Sequence, residues 1–149
     1  MIDKTKKYWS GDCAADIDEY LRAYTELLDL DVKPVCCSCG SDTFTILVDQ
    51  DEGAVLLKCT QCAEEKFLLD SEEYWPSCTP KAGICRLCKG AEYNVRVGFV
   101  RKENGNIEWI YVGNRCTECG ALGSYVDWGI DYKPTDELEQ CYSPFVKKL

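Results

Sequence analysis

A small α+β fold, with one N-terminal helix followed by two cysteine-pinned β-hairpin units, is the architecture the sequence predicts. Three observations predict it. Four Cys-x-x-Cys pairs stand at 36–39, 59–62, 85–88 and 116–119. The first two and the last two each enclose a stretch with strand, turn and strand composition. One amphipathic stretch, residues 16–31, precedes them all.

The helix comes first. In DIDEYLRAYTELLDLD, residues Ile17, Tyr20, Leu21, Tyr24, Leu27 and Leu28 recur at three- and four-residue steps and form one apolar stripe. Asp16 is placed to cap the first turn, with Glu19 bonding back to the cap. Val32, Lys33 and Pro34 turn the chain extended. A helix this short is marginal alone and must pack on something, with the stripe expected to cover a sheet face of one unit or the seam between both.

The first hairpin unit follows. TFTILVD at 43–49 is rich in β-branched residues, QDEG at 50–53 offers a turn, AVLLKC at 54–59 returns, and EKFLLD at 65–70 reads as a third strand. The second unit repeats the plan. EYNVRVGFVRK at 92–102 leads into ENGN at 103–106, where the Asn-Gly step favours a tight turn. IEWIYVGNRC at 107–116 returns and LGSYVDWGIDY at 122–132 adds another strand. Tyr93, Val95, Val97 and Phe99 are expected on the buried face, matched by Ile107, Trp109 and Tyr111. The expected division is a helical segment at 1–34, units at 35–73 and 85–132, a connector at 74–84, and a tail at 133–149 with brief helical turns, one starting at Ser143 before Pro144.

Composition narrows the chemistry. The 149 residues include 12 cysteines and no histidine, so a His-based triad and a His-containing zinc set are excluded. No segment has the roughly 20 apolar residues of a membrane span, and the N-terminus lacks the apolar core of a secretion signal. A cytoplasmic address is expected, where thiols stay reduced and paired cysteines read as metal ligands before disulfides.

Cys36, Cys39, Cys59 and Cys62 are the expected ligands of one site, with 19 residues between the two pairs. Cys85, Cys88, Cys116 and Cys119 are those of the other, with 27 between. Each hairpin brings two thiol turns to one end, where four thiolates suit tetrahedral Zn²⁺. Two structural Zn²⁺ ions are the expected cofactors. Iron bound by four thiolates is the competing metal; iron–sulfur clusters usually show other ligand spacings. Cys37 lies inside the first thiol turn, and using it would shorten the pair to one intervening residue, so Cys36 is preferred. Gly40 and Gly120 follow the second thiol of their pairs, where a left-handed conformation turns the chain outward; Gly90 stands one place later. Cys13, Cys37, Cys78 and Cys141 are not spaced as a further set and read as small buried hydrophobes.

With these pairs in place, the chain resembles the tandem zinc-ribbon, or rubredoxin-like, group over about 36–70 and 85–132. The resemblance implies a scaffold and no single activity, since such ribbons serve transcription and translation proteins, enzyme subdomains and structural supports alike.

Function is read from what remains. A full Cys₄ shell leaves no position for water, no Gly-rich phosphate loop is present, and a cysteine nucleophile lacks a histidine base, so no enzymatic activity is expected. Glu64 and Glu65 follow a thiol turn and touch a metal only indirectly. The formal charge is −9, from 17 basic and 26 acidic residues, and metal-loaded thiolates take it to about −13. The acids concentrate in residues 36–80, which hold 9 acids and 2 bases, against 9 acids and 10 bases in 81–149. A protein-interaction surface braced by zinc, facing a basic partner, is the leading expectation. The alternative is nucleic-acid binding by the second unit, where Arg86, Lys89, Arg96, Arg101, Lys102 and Arg115 lie among Tyr93, Phe99, Trp109, Tyr111, Tyr125 and Trp128. Iron-based electron transfer is the third.

Overall fold

Alternating apolar residues build two antiparallel hairpins in the chain, and the structure, a computed structural model that describes residues 1–130, places both in one sheet. Eight strands take part: β1 (Asp31–Pro34), β2 (Thr43–Asp49), β3 (Ala54–Cys59), β4 (Glu65–Phe67), β5 (Lys81–Ala82), β6 (Tyr93–Arg101), β7 (Ile107–Cys116) and β8 (Leu122–Gly129). Helix α1 (Asp16–Thr25) precedes them, and a single turn, α2 (Ser71–Tyr74), runs into a 3₁₀ turn over Trp75–Ser77. The strand order is β4-β3-β2-β6-β7-β8.

The two hairpins meet through β2 and β6, which pair only at Thr43–Asn94 and Phe44–Tyr93 before diverging. Two short strands fill the opening. β1 continues along β6, from Asp31–Phe99 to Pro34–Arg96, and β5 continues along β2 at Leu47–Ala82 and Val48–Lys81. Neither was legible as a strand, because each is too short to show its own period. β2, β3 and β7 span the residues expected of them; the strand expected at 65–70 stops at Phe67, where Leu68 and Leu69 turn into the core. The tail 133–149, with Ser143 and Cys141, lies outside the described residues.

The main core draws on both hairpins. Phe44, Ile46, Val55 and Leu57 from one pack with Tyr93, Val97, Ile110 and Trp128 from the other. Tyr93, Val95, Val97 and Phe99 are buried as expected. The matching face on β7 differs from expectation. A register shift between Val100 and Arg101 brings Ile110 opposite Phe99 and Val112 opposite Val97. Ile107 stays in the core, but Trp109 is 39% exposed and covers Gly129, and Tyr111 faces the helix side.

That second face is covered by α1. Ile17 and Leu21 are fully buried over Gly113, where an added Cβ would stand 2.5 Å from Ile17 Cγ2. Leu30, Val32 and Leu122 complete this smaller core. Arg96 of β6 reaches Asp18 of α1 with both carboxylate oxygens at 3.0–3.1 Å. The helix is shorter than expected. Glu26 adopts a left-handed φ of 60° and ends it, so that Leu30 can return to lie over Gly98. Tyr24 and Leu28, expected in the stripe, are therefore exposed. The capping expectation also changes: Asp16 accepts from the N–H groups of Asp12 and Cys13, bracing the preceding turn, and Glu19 pairs with Lys4. No helix among the described residues is long and apolar enough to cross a membrane.

Candidate metal centres

Each hairpin carries a tight thiol turn at both ends of its cysteine-bounded stretch, and antiparallel pairing brings the two turns together. Three of the four turns share one hydrogen-bond pattern. The first cysteine's N–H donates five residues on, at Cys59 to Glu64, Cys85 to Gly90 and Cys116 to Ala121. Its carbonyl accepts from four residues on, from Ala63, Lys89 and Gly120. Those last three residues have left-handed φ values of 63°, 68° and 79°. The sequence signal for a glycine is met at Gly120 and at Gly40 (φ 95°), whereas in the third turn Lys89 takes the left-handed place and Gly90 makes room for Glu118.

Two thiol tetrads result: Cys37, Cys39, Cys59 and Cys62, and Cys85, Cys88, Cys116 and Cys119, the sulfurs of each lying within 4.8 Å of one another. The closest sulfur pairs are Cys37–Cys62 at 3.4 Å and Cys39–Cys59 at 3.6 Å, then Cys88–Cys116 at 3.4 Å and Cys85–Cys119 at 3.6 Å. A tetrahedron with metal–sulfur bonds of about 2.3 Å has edges of about 3.8 Å. The spacing thus suits one tetrahedral ion in each tetrad.

One expected ligand is replaced. Cys36 stands outside the first tetrad, its Sγ 3.9 Å from the Gly40 carbonyl oxygen, and Cys37 occupies the position instead. The reason is the strand that feeds the turn. The ladder runs one residue past Pro34, since Val35 N–H donates to Val95 O. Alternation then sends Val35 and Cys37 into the main core, 1% and 3% exposed, and turns Cys36 to the other side. The first turn is accordingly one residue tighter, with Cys37 N–H on Ser41 O and Gly40 N–H on Cys37 O. The pattern Val35-x-Cys37 after Pro34 was the signal in the sequence.

The thiols are unequal before metal binds. Burial pushes Cys59 up, but the N–H groups of Cys62 and Gln61 and the neighbouring thiols outweigh it and bring it down to about 6. Cys85 is treated alike by the N–H groups of Cys88 and Leu87 and falls to about 7. The Gly90 N–H favours the Cys88 thiolate, yet the Cys116 thiol, burial and the remaining thiols push it up to about 12. Cys37, Cys39 and Cys62 are raised as well. Each tetrad therefore holds one buried thiol poised to ionise first, Cys59 or Cys85, against which a cation can dock.

A carboxylate stands beside each tetrad. Glu64 Oε2 accepts from Ser38 Oγ at 2.8 Å and lies 3.7 Å from Cys37 Sγ. Glu118 Oε2 lies 3.8 Å from Cys88 Sγ. Glu64 was legible as an indirect neighbour; Glu118, inside a thiol turn, was not singled out. The remaining cysteines do not form a third set among the described residues. Cys13 is exposed rather than buried, and Cys78 is half-buried with its Sγ on Tyr74 O.

No family model, curated protein or solved structure matches this chain.

Proposed function

We propose that this is a non-enzymatic zinc protein whose two thiolate sites brace a surface that binds a basic protein partner. The eight thiols of the two tetrads would hold two Zn²⁺, which favours four tetrahedral thiolates and, once so enclosed, stabilises small folds without offering a position to substrate. The observation that carries the interaction reading is the unequal use of charge. In residues 36–80 only Asp49 and Asp70 among the nine acids are buried; the other seven are exposed. Three of the four arginines that would serve the nucleic-acid alternative are engaged within the protein, while Arg86 is exposed. Arg96 is paired with Asp18, Arg101 with Asp31, and Arg115 donates to the Gly11 carbonyl and to Asn94 Oδ1. Of the six aromatics of that alternative, Tyr93, Phe99 and Trp128 are buried, Tyr111 and Tyr125 are half-buried and Trp109 is exposed. Exposed carboxylates on a braced sheet would steer a cationic surface toward them and be screened by salt.

The test is capture from native extract at low and moderate salt by the metal-loaded chain and by a Glu72→Lys/Glu73→Lys variant. The reading expects the same basic protein to be retained at low salt, released at moderate salt and lost by the variant. Retention that the variant leaves unchanged overturns it.

A further inference from the structure

A second feature, independent of the exposed acids, lies along the start of β8. The N-terminal segment runs beside it, with Ser10 bridged to Ala121 and Leu122 N–H donating to Trp9 O. Between them is a cavity of about 220 Å³ walled by Tyr8, Tyr20, Tyr93 and Tyr125, with Arg86 at its rim and Asn114 within. A second cavity of about 230 Å³ shares Tyr8, Tyr20 and Leu122 with it and adds Lys7, Trp9 and Tyr24. The two cavities adjoin across these shared residues as an aromatic cleft in two parts, with an exposed cation lining each, Arg86 and Lys7.

Asn114 marks what the cleft lacks. It is 5% exposed, and its Oδ1 has no hydrogen-bond partner among the described residues. An unmet buried acceptor is costly, so a donor that meets it gains. Its cross-strand neighbour is Gly123, where an added Cβ would stand 3.6 Å from Asn114 Nδ2, so the amide lies directly beneath a missing side chain. Gly123 does not have a left-handed φ, so the backbone does not require a glycine there. Tyr125, by contrast, is fixed as a wall: its hydroxyl donates to Ile84 O at 3.1 Å and lies 2.6 Å from the Tyr93 hydroxyl.

From this arrangement we propose that the cleft binds a nucleoside phosphate, free or as one residue of a single strand. The ligand must offer a flat ring for the tyrosines and Trp9, an edge with N–H and acceptor groups for the Asn114 amide, and an anion for Lys7 or Arg86. A nucleotide offers all three. An apolar ligand would leave Asn114 Oδ1 unmet. Each cavity is smaller than the roughly 300 Å³ at which drug-sized pockets begin, which fits one base and its phosphate rather than a larger cofactor. The strong net negative charge opposes a long polyanion and favours a short footprint.

The experiment titrates the full chain, with its metals retained, with AMP, GMP, CMP and UMP and separately with a short single-stranded RNA, following tryptophan emission and heat. Saturable binding of at least one mononucleotide is expected. Asn114→Leu and Lys7→Glu should each weaken it by about tenfold, the loss of one amide–base or charge contact, and Gly123→Val should block it by filling the space above the amide. Lys7 is fully on the surface, so its variant tests the cleft even where a core variant fails to fold. Binding of the RNA alone, with the same sensitivity to these three changes, assigns the ligand to a strand and still supports the cleft. Absence of binding by every probe, or binding that none of the three variants alters, overturns the proposal.

Discussion

Trp128 of β8 donates its indole Nε1–H to Asp70 Oδ1 at 2.9 Å, tying the last strand of the second hairpin to the turn that closes the first. Both residues are buried, at 7% and 2% exposure. Trp128 also lies over Gly53 at the tip of the first hairpin, where an added Cβ would meet Trp128 Cβ at 2.6 Å. Trp128→Phe keeps an aromatic ring but removes the donor and part of the buried indole. It should cost about 1–3 kcal/mol, the usual consequence of leaving a buried acceptor without one of its donors. Urea denaturation of the metal-loaded protein reads this directly, and an unchanged midpoint would show that the bond adds nothing.

The choice between the adjacent thiols is equally open to measurement. Cys37→Ser should reduce bound metal from two ions per chain to one, whereas Cys36→Ser should retain both. Native mass spectrometry gives the count. Replacing the bound ion by Co²⁺ adds a readout of the ligand set, because thiolate-to-cobalt absorption reports four sulfurs or three. Loss of metal in Cys36→Ser would place the sequence-preferred thiol back in the site.

Metal affinity should rise with pH. Cys37, Cys39 and Cys62 are raised from the ordinary thiol value and stay protonated at neutral pH, while Cys59, at about 6, is mostly ionised. Loading the first tetrad therefore releases the three protons of the raised thiols. Because the metal-free state binds more protons than the loaded one, raising pH favours loading and acid favours release. Competition with a chelating dye between pH 6 and 8 should give an affinity that climbs steeply, and a flat profile would contradict the protonation pattern.

Helix α1 depends on the missing side chain at Gly113. Gly113→Val would press on Ile17 and Leu21, both fully buried, and should cost about 1–3 kcal/mol by overpacking. Amide exchange should accelerate first in residues 16–25, with β2 and β3 slower to respond. Uniform acceleration would mean that the helix and sheet open together.

The sequence alone determined whatever depends on neighbours along the chain. The extents of β2, β3 and β7 follow from β-branched and apolar runs bounded by turn residues, and seven of the eight clustered thiols follow from the spacing of two pairs about one hairpin. The left-handed places at Gly40 and Gly120 belong to the same class, because a thiol turn fixes them locally. Only the tertiary structure decided what depends on residues far apart. The two hairpins join through the Phe44–Tyr93 pairing, and no local pattern specifies which strand edges meet. Cys37 displaces Cys36 because β1 pairs with β6 some sixty residues away, and that ladder sets which side each thiol faces. The helix stops at Thr25 because Leu30 is needed over Gly98, a demand invisible within the helical stripe. Arg96 and Arg101 read as a basic surface until Asp18 and Asp31 are brought against them. The division is physical: turn and strand preferences are set by the chain's own stereochemistry, whereas strand partners, buried faces and ion pairs are chosen by which arrangement buries the most apolar surface while pairing the polar groups it encloses.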